Sequence, residues 1–191
     1  GTLQKDDRDD PRNYRPITLL QNAYKIFTRI LAKRMKKVIH EFVSECQKGF
    51  VPHAFIAECS MLMNLLEAYI NDDAHPDRGG MMLFLDMEKA FDRVSYEFIN
   101  RALVSVGFGE RFRRTIAMMY NVADPPQRRI YANGFYSDWF SIKSGVAQGC
   151  PVSPLLFLLV AQALKIAMAQ NQEFRGISIG GRRIKISQVG F

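Results

Sequence analysis

The segment MMLFLD, residues 81–86, constrains the fold more than any other stretch. Five apolar residues run up to a carboxylate, bounded by Gly80 before and Asp86 at the end. That length fits a strand buried on both faces better than it fits a helix. An acid at the end of such a strand has two meanings. Asp is a favoured helix N-cap, so it can simply start the next helix. It can also hold a hard cation, because magnesium takes oxygen ligands and often uses one or two carboxylates plus substrate phosphates. In phosphoryl transfer two such ions, about 3.5–4 Å apart, activate the attacking oxygen and stabilise the leaving one. A rigid strand end suits a ligand of that kind. Asp92 follows six residues on, and spacing alone assigns it to neither role.

The segments around this run read as an α+β chain. Pro11, Asn13 and Pro16 predict an extended, charged lead-in over residues 1–16. Phe27, Leu31, Met35, Val38 and Phe42 recur at helical spacing and predict a helix over 21–42. Arg29, Lys33, Lys36 and Lys37 lie on or near its other side, where solvation is the ordinary meaning of such charges. QKGFVPHAF has loop chemistry. A second helix is expected over 56–70, with Leu65 and Leu66 buried, before a turn-rich connection over 71–80. Ser95 is placed to cap a helix containing Phe98, Ala102, Leu103 and Val106, with Gly107 and Gly109 ending it. A short helix over 110–121 follows. Residues 127–146 read as strands about the hairpin dipeptide Asn133-Gly134. Ser153 and Pro154 form an N-cap and first-turn pair for a helix to about Gln170. Two short strands around Gly180-Gly181 close the chain. The sheet is expected to be mostly antiparallel.

Between hairpin and helix lies SGVAQGCPVSP. Gly145, Gly149, Pro151 and Pro154 predict a sharp loop entering a helix. Glycines there let another backbone or a base pair come close, and a helix N-terminus favours anions. An ordinary turn and cap would look the same.

Charge and cysteine usage narrow the partners. The net charge of +7 fits an acidic partner, nucleic acid first among them, although solubility alone can explain it. Cys46, Cys59 and Cys150 are odd in number and include no CxxC, which argues for a reducing, intracellular setting and against a disulfide framework or zinc site. The longest apolar stretch, 154–163, is too short to span a bilayer, so no membrane partner is expected. Both ends read as cut from a longer chain, since the start is polar without Met and the end is the apolar Phe191.

The blocks NYRPITLLQNAYKIFTRILAKRM, QKGFVP, FLDMEKAFDRV and SGVAQGCPVSPLLF, in this order, resemble the reverse transcriptases of non-long-terminal-repeat (LINE-type) retrotransposons. The resemblance runs from about Leu3 to Phe191. It implies a right-hand polymerase fold, with fingers over 1–72 and part of a palm over 73–191, and no thumb. It implies that Asp86 is the first catalytic aspartate and a ligand of both magnesium ions, which manganese can replace. The backbone carbonyl of Met87 would be a further ligand. Phe91 matches the position that excludes a ribonucleotide's 2′-hydroxyl. Gln148 and Gly149 match the pair lining the nascent base pair, and Arg15 is the candidate cation for the triphosphate. Asp92 belongs to the signature without being a core metal ligand. The implied partners are an RNA template, a DNA primer and deoxynucleoside triphosphates, and the implied compartment is the nucleus.

Two departures bear on these expectations. His53-Ala54 stand where the family often has Gly-Arg, which puts a triphosphate or template contact in doubt. The family's next block is a hairpin tip with two adjacent aspartates, one of which binds metal with the first. RRIKISQVGF is its expected lead-in, and no Asp-Asp follows Gly80. The 191 residues alone are therefore expected to lack polymerase activity and to expose a sheet edge that lowers solubility. Other readings remain: an RNA-binding relic of a decayed element, another magnesium phosphotransferase, or an RNA-templated RNA polymerase, against which Phe91 speaks.

Overall fold

The computed structural model describes residues 2, 3, 9, 10, 13–15, 17–43, 47–51, 55, 57–72, 74, 81–179 and 182–185. The prolines at 11, 16 and 52, His53-Ala54, Cys46, the connection over 75–80, the Gly180-Gly181 turn and residues 186–191 lie outside them, as does the side chain of Arg15.

The described chain is mixed α+β, and its pairings are all antiparallel two-stranded ones. Strand β1 (Thr2–Leu3) pairs with β2 (Tyr14–Arg15) across the lead-in. The first predicted helix is observed as two, α1 (Asn22–Lys36) and α2 (Ile39–Phe42). Its basic side is solvent-exposed as expected, and Lys33, Arg34 and Lys36 lie in the last turn of α1, where cations offset the helix dipole. The buried stripe is Thr28, Leu31, Ala32 and Met35, continued by Ile39. Phe27 is off that stripe and exposed. Thr28 is tolerated inside because its hydroxyl donates to the Tyr24 carbonyl one turn back, at 2.9 Å.

Helix α3 spans Ala57–Asn71. It buries Cys59, Leu66 and Ile70, whereas Leu65 is 64% exposed and is thus on the opposite side from the one predicted. Adjacent leucines are about 100° apart on a helix, so only one of the pair can centre a face. Helix α4 (Tyr96–Ser105) starts as expected, the Ser95 hydroxyl accepting from the Phe98 amide at 3.4 Å. Gly107 (φ +80°) follows its last turn, and the Phe108 amide reaches back to the Leu103 carbonyl at 2.9 Å. Gly109 is then the flanking residue of α5 (Glu110–Met119).

The hairpin forms at Asn133-Gly134. Strands β4 (Tyr131–Ala132) and β5 (Phe135–Tyr136) pair with Tyr131 opposite Tyr136, and both turn residues have positive φ, the type I′ combination. Its base is closed by β3 (Gln127–Arg128) and β6 (Phe140–Ser141).

Helix α6 (Ser153–Gln170) runs through the core. Leu155 to Leu159 and Ala161 are all buried and pack with α1, α4 and α5 in a single cluster. The helix is long and apolar enough to cross a membrane by length and composition. Its first half is buried among other helices, whereas Leu164 and Ile166 in its second half are exposed. Pro154 occupies the first turn as predicted, but Ser153 is the first helical residue and does not cap. Its hydroxyl instead meets the Tyr120 hydroxyl at 3.1 Å. Strands β7 (Ile177–Ile179) and β8 (Arg182–Ile184) form the expected last pair. Lys185 after β8 donates to the Ala169 and Asn171 carbonyls at the end of α6, at 2.8 and 2.9 Å.

One expectation fails outright. Residues 81–86 form no strand and are not buried; Leu83 is 72% exposed, and Met81, Phe84 and Leu85 also face solvent. A strand persists only where neighbours take up its N–H and C=O groups. Among the described residues none pairs with this segment, so its apolar side chains have no sheet to sit in.

Candidate active site

The FLDMEKAFDRV and SGVAQGCPVSPLLF blocks meet along a main-chain seam. After Asp86 the chain turns at 88–93, where Lys89 has φ +54° and its carbonyl accepts from the Asp92 and Arg93 amides at 2.9 and 3.2 Å. The segment that leaves this turn is bound by the loop before α6. The Val146 amide donates to the Phe91 carbonyl at 2.8 Å, and the Gly145 amide to the Val94 carbonyl at 2.7 Å. The Ser144 hydroxyl adds a bond to the Asp92 carbonyl at 3.1 Å.

Gly145 is required by this approach. Its φ is +89°, and a Cβ there would come within 2.8 Å of the Asp92 Cα and carbonyl oxygen. The close backbone that a glycine was expected to admit is therefore the protein's own. Gly149 also has positive φ, and a Cβ there would stand 3.5 Å from the Thr18 carbonyl. This brings the PITLL segment beside the loop. The Arg128 guanidinium ties the same segment to the hairpin base through the Thr18 hydroxyl at 3.1 Å.

Phe91 is where three blocks converge. Its ring stacks on Phe157 of α6, with centroids 5.0 Å apart and 14° between planes. Phe50, from QKGFVP, meets it edge-on at 6.4 Å. Phe157 is almost fully buried and fixes one face of the Phe91 ring. Sequence reasoning named Phe91 but neither partner. Both lay in motif blocks, yet no spacing rule links residues 50, 91 and 157.

A buried polar layer lies beneath the loop. The Tyr96 hydroxyl donates to the Ile142 carbonyl at 3.1 Å, holding the strand that leads to Gly145. Tyr96 and Tyr120 rings pack at 5.4 Å. Burial raises the proton affinity of the Tyr24, Tyr96 and Tyr120 phenols, and for Tyr24 and Tyr120 the neighbouring Cys150 adds to the effect. These phenols stay neutral and serve as struts rather than acids. None of this layer was visible in the sequence, because each residue reads there as an ordinary aromatic.

The remaining candidates stand as follows. Asp86 is exposed and makes no hydrogen bond or ion pair with the described residues, so both carboxylate oxygens are open to a cation. Met87 is half-buried against the core. Gln148 is half-buried and Gly149 exposed, in the turn after the seam. Asp92 is half-buried and is tied down through its main chain. Among the described residues no three His, Cys, Asp or Glu side chains cluster as a metal site. Asp86 thus fits a cation as one hard ligand of a shell that needs others.

Residues 3–179 match the family described as reverse transcriptase (RNA-dependent DNA polymerase). A Pol polyprotein from a type-1 retrotransposable element R2 of Popillia japonica is 31% identical over 180 residues, covering 94% of this chain and 24% of that protein. The uncharacterized 149 kDa protein of transposon TX1 from Xenopus laevis is 30% identical over 154 residues, 79% of this chain and 11% of that protein. A probable RNA-directed DNA polymerase from the transposon X-element of Drosophila melanogaster is 28% identical over 159 residues, 78% of this chain and 16% of that protein. The chain spans a quarter or less of the length of these relatives.

Proposed function

The chain belongs to the reverse transcriptase family, in the branch carried by non-long-terminal-repeat retrotransposons, and from that premise we propose that it supplies the nucleotide-selecting half of an RNA-directed DNA polymerase site. Residues 1–72 act as fingers and 73–191 as part of a right-hand palm. The observation that carries the proposal is the seam at Phe91–Val94 and Ser144–Val146, which supports a single working surface built from the acid-bearing turn and the glycine loop.

The reaction is attack by a DNA primer's 3′-hydroxyl oxygen on the α-phosphorus of a deoxynucleoside triphosphate. A new P–O bond forms to the primer, and the bond to the β-phosphate oxygen breaks with release of pyrophosphate. Asp86, with the Met87 carbonyl, would hold magnesium or manganese. Such ions supply charge stabilisation to the transferred phosphoryl group. The remaining carboxylate comes from the Asp-Asp block that belongs after RRIKISQVGF in the family. Phe91, braced by Phe157, presents a fixed ring edge that leaves no room for a ribose 2′-hydroxyl. Gln148 and Gly149 line the nascent pair with the RNA template, and Arg15 grips the triphosphate with its donor fork. Target-primed copying on chromosomal DNA places the parent protein in the nucleus.

Primer extension by the parent protein tests this. Asp86→Asn should abolish extension while leaving the fold intact, because the exposed carboxylate has no structural partner among the described residues. Undiminished extension by Asp86→Asn would overturn the assignment. The 191 residues alone should not extend a primer.

A further inference from the structure

Helices α4 and α5 flank a cleft of about 400 Å³ that the polymerase reading leaves unused. Tyr96 and Tyr120 line it, both almost fully buried, with their rings packed at 5.4 Å. Their hydroxyls are engaged elsewhere, with the Ile142 carbonyl and the Ser153 hydroxyl, so what they offer the cleft is ring surface. An adjoining void of about 20 Å³ continues the apolar side among Ile99, Leu103 and Ile116. The mouth is charged, and its charges are unevenly used. Glu97 pairs with Arg101 at 2.5 Å and Glu110 with Arg114 at 2.6 Å. Arg113 is half-buried and uses only its Nε, which donates to the Phe108 carbonyl at 3.0 Å. Both of its Nη groups lack a partner among the described residues. Asn121 accepts the Ala123 amide on its Oδ1 at 3.0 Å, which leaves its NH2 group open, and Asn100 bonds nothing among the described residues.

We propose that this cleft is a docking site for a peptide segment of another protein, one in which an aromatic residue is followed by a carboxylate. The aromatic ring packs on Tyr96 and Tyr120, because tilted and offset aromatic pairs gain more than their buried area alone. Such an anchor in a pocket carries much of the energy of a protein interface. The carboxylate takes the two open Nη groups of Arg113, whose fork matches its geometry. The open amides of Asn100 and Asn121 are further donors to it. Charge also selects the occupant. A nucleic-acid strand would bring successive phosphates against the Glu97 and Glu110 carboxylates at the mouth, whereas a single carboxylate seated on Arg113 meets no such repulsion.

The test is a titration of the isotope-labelled 191-residue chain with a capped glycine–phenylalanine–aspartate–glycine peptide, followed by amide NMR. No metal, nucleotide or nucleic acid is present, so its failure leaves the primer-extension test untouched, and failed extension leaves this one untouched. Saturable shifts should centre on the side-chain amides of Asn100 and Asn121. Arg113→Gln should weaken binding about tenfold. That change also removes the bond to Phe108, so Ala117→Leu is the second variant. Ala117 is an exposed residue of α5 that lines both the cleft and the void, and leucine there keeps the guanidinium, suits a helix and fills the space. It should abolish binding. Arg111→Gln, an equal loss of charge outside the cleft, should leave binding unchanged. Absent saturable binding, or full binding by Ala117→Leu, would overturn the proposal. So would equal binding of peptides with alanine for phenylalanine or asparagine for aspartate, or displacement of the peptide by an oligouridine, the sign of a nucleic-acid surface.

Discussion

Phe91 and Gly145 answer to different constraints at the same seam. The Phe91 ring is stacked on Phe157 and met by Phe50, so its position is set by packing before any substrate arrives. Truncation to Ala should therefore act twice. In the parent polymerase, Phe91→Ala should admit ribonucleotides, read by incorporation of each sugar from matched triphosphates, and unchanged selectivity would remove it from that role. It should also cost about 2–4 kcal/mol of stability through lost packing. Gly145→Ala has no such chemistry and a plain steric cost. A Cβ would meet main-chain atoms of Asp92 at 2.8 Å in a backbone with φ +89°. Neither obstacle can rotate away, so a loss of at least about 2 kcal/mol is expected, measured as a lowered urea midpoint. Gly145 was legible in the sequence as a point of close approach. That the approaching backbone would be Asp92 was not, because the pairing depends on how α4, α5 and the hairpin return the chain.

Among the elements, local signals were read well where one residue decides the outcome. Ser95 caps α4, Gly107 follows it with positive φ, and Asn133-Gly134 forms its I′ turn. Ser95→Ala should lower stability by about 1 kcal/mol, checked by thermal melting, with Ser95→Asp retaining most of it. Signals that depend on neighbours were read less well. Leu65 and Leu66 are equally apolar, and only the packing of α3 shows that Leu66 faces inward. Ser153 has the chemistry of a cap, but Tyr120 lies within reach and takes its hydroxyl. The 81–86 run has the composition of a buried strand and no strand beside it among the described residues. Composition states what a segment requires, and burial depends on what other segments supply.

For the whole molecule, one buried cluster runs from Leu31 of α1 to Ala161 of α6, so the proposed fingers and palm share a core. The phenols inside it tie stability to alkaline pH. Burial raises the Tyr24, Tyr96 and Tyr120 groups above the ordinary value of 10.0. The folded state therefore holds these protons more tightly than the unfolded state does. Their contribution is complete below about pH 10 and is lost as pH rises beyond it. Urea midpoints should be flat from about pH 7 to 9 and fall steeply above about 10, and Tyr120→Phe should soften that fall.

The seam between the acid-bearing turn and the glycine loop also has a consequence in time. The bond from Ser144 to Asp92 closes a loop of 52 residues, at an entropic cost of about 3.5 kcal/mol. Every residue within that loop belongs to α4, α5, the hairpin or their connections, whose helical and hairpin hydrogen bonds close over short stretches of chain even though α4 also packs on α6. The expected order of assembly is helices and hairpin first and the join at Phe91–Val94 later. A ribosome would have to release the chain past Phe157 before the Phe91 ring could take the packing that the structure shows, so this contact forms only once the first turns of α6 have emerged.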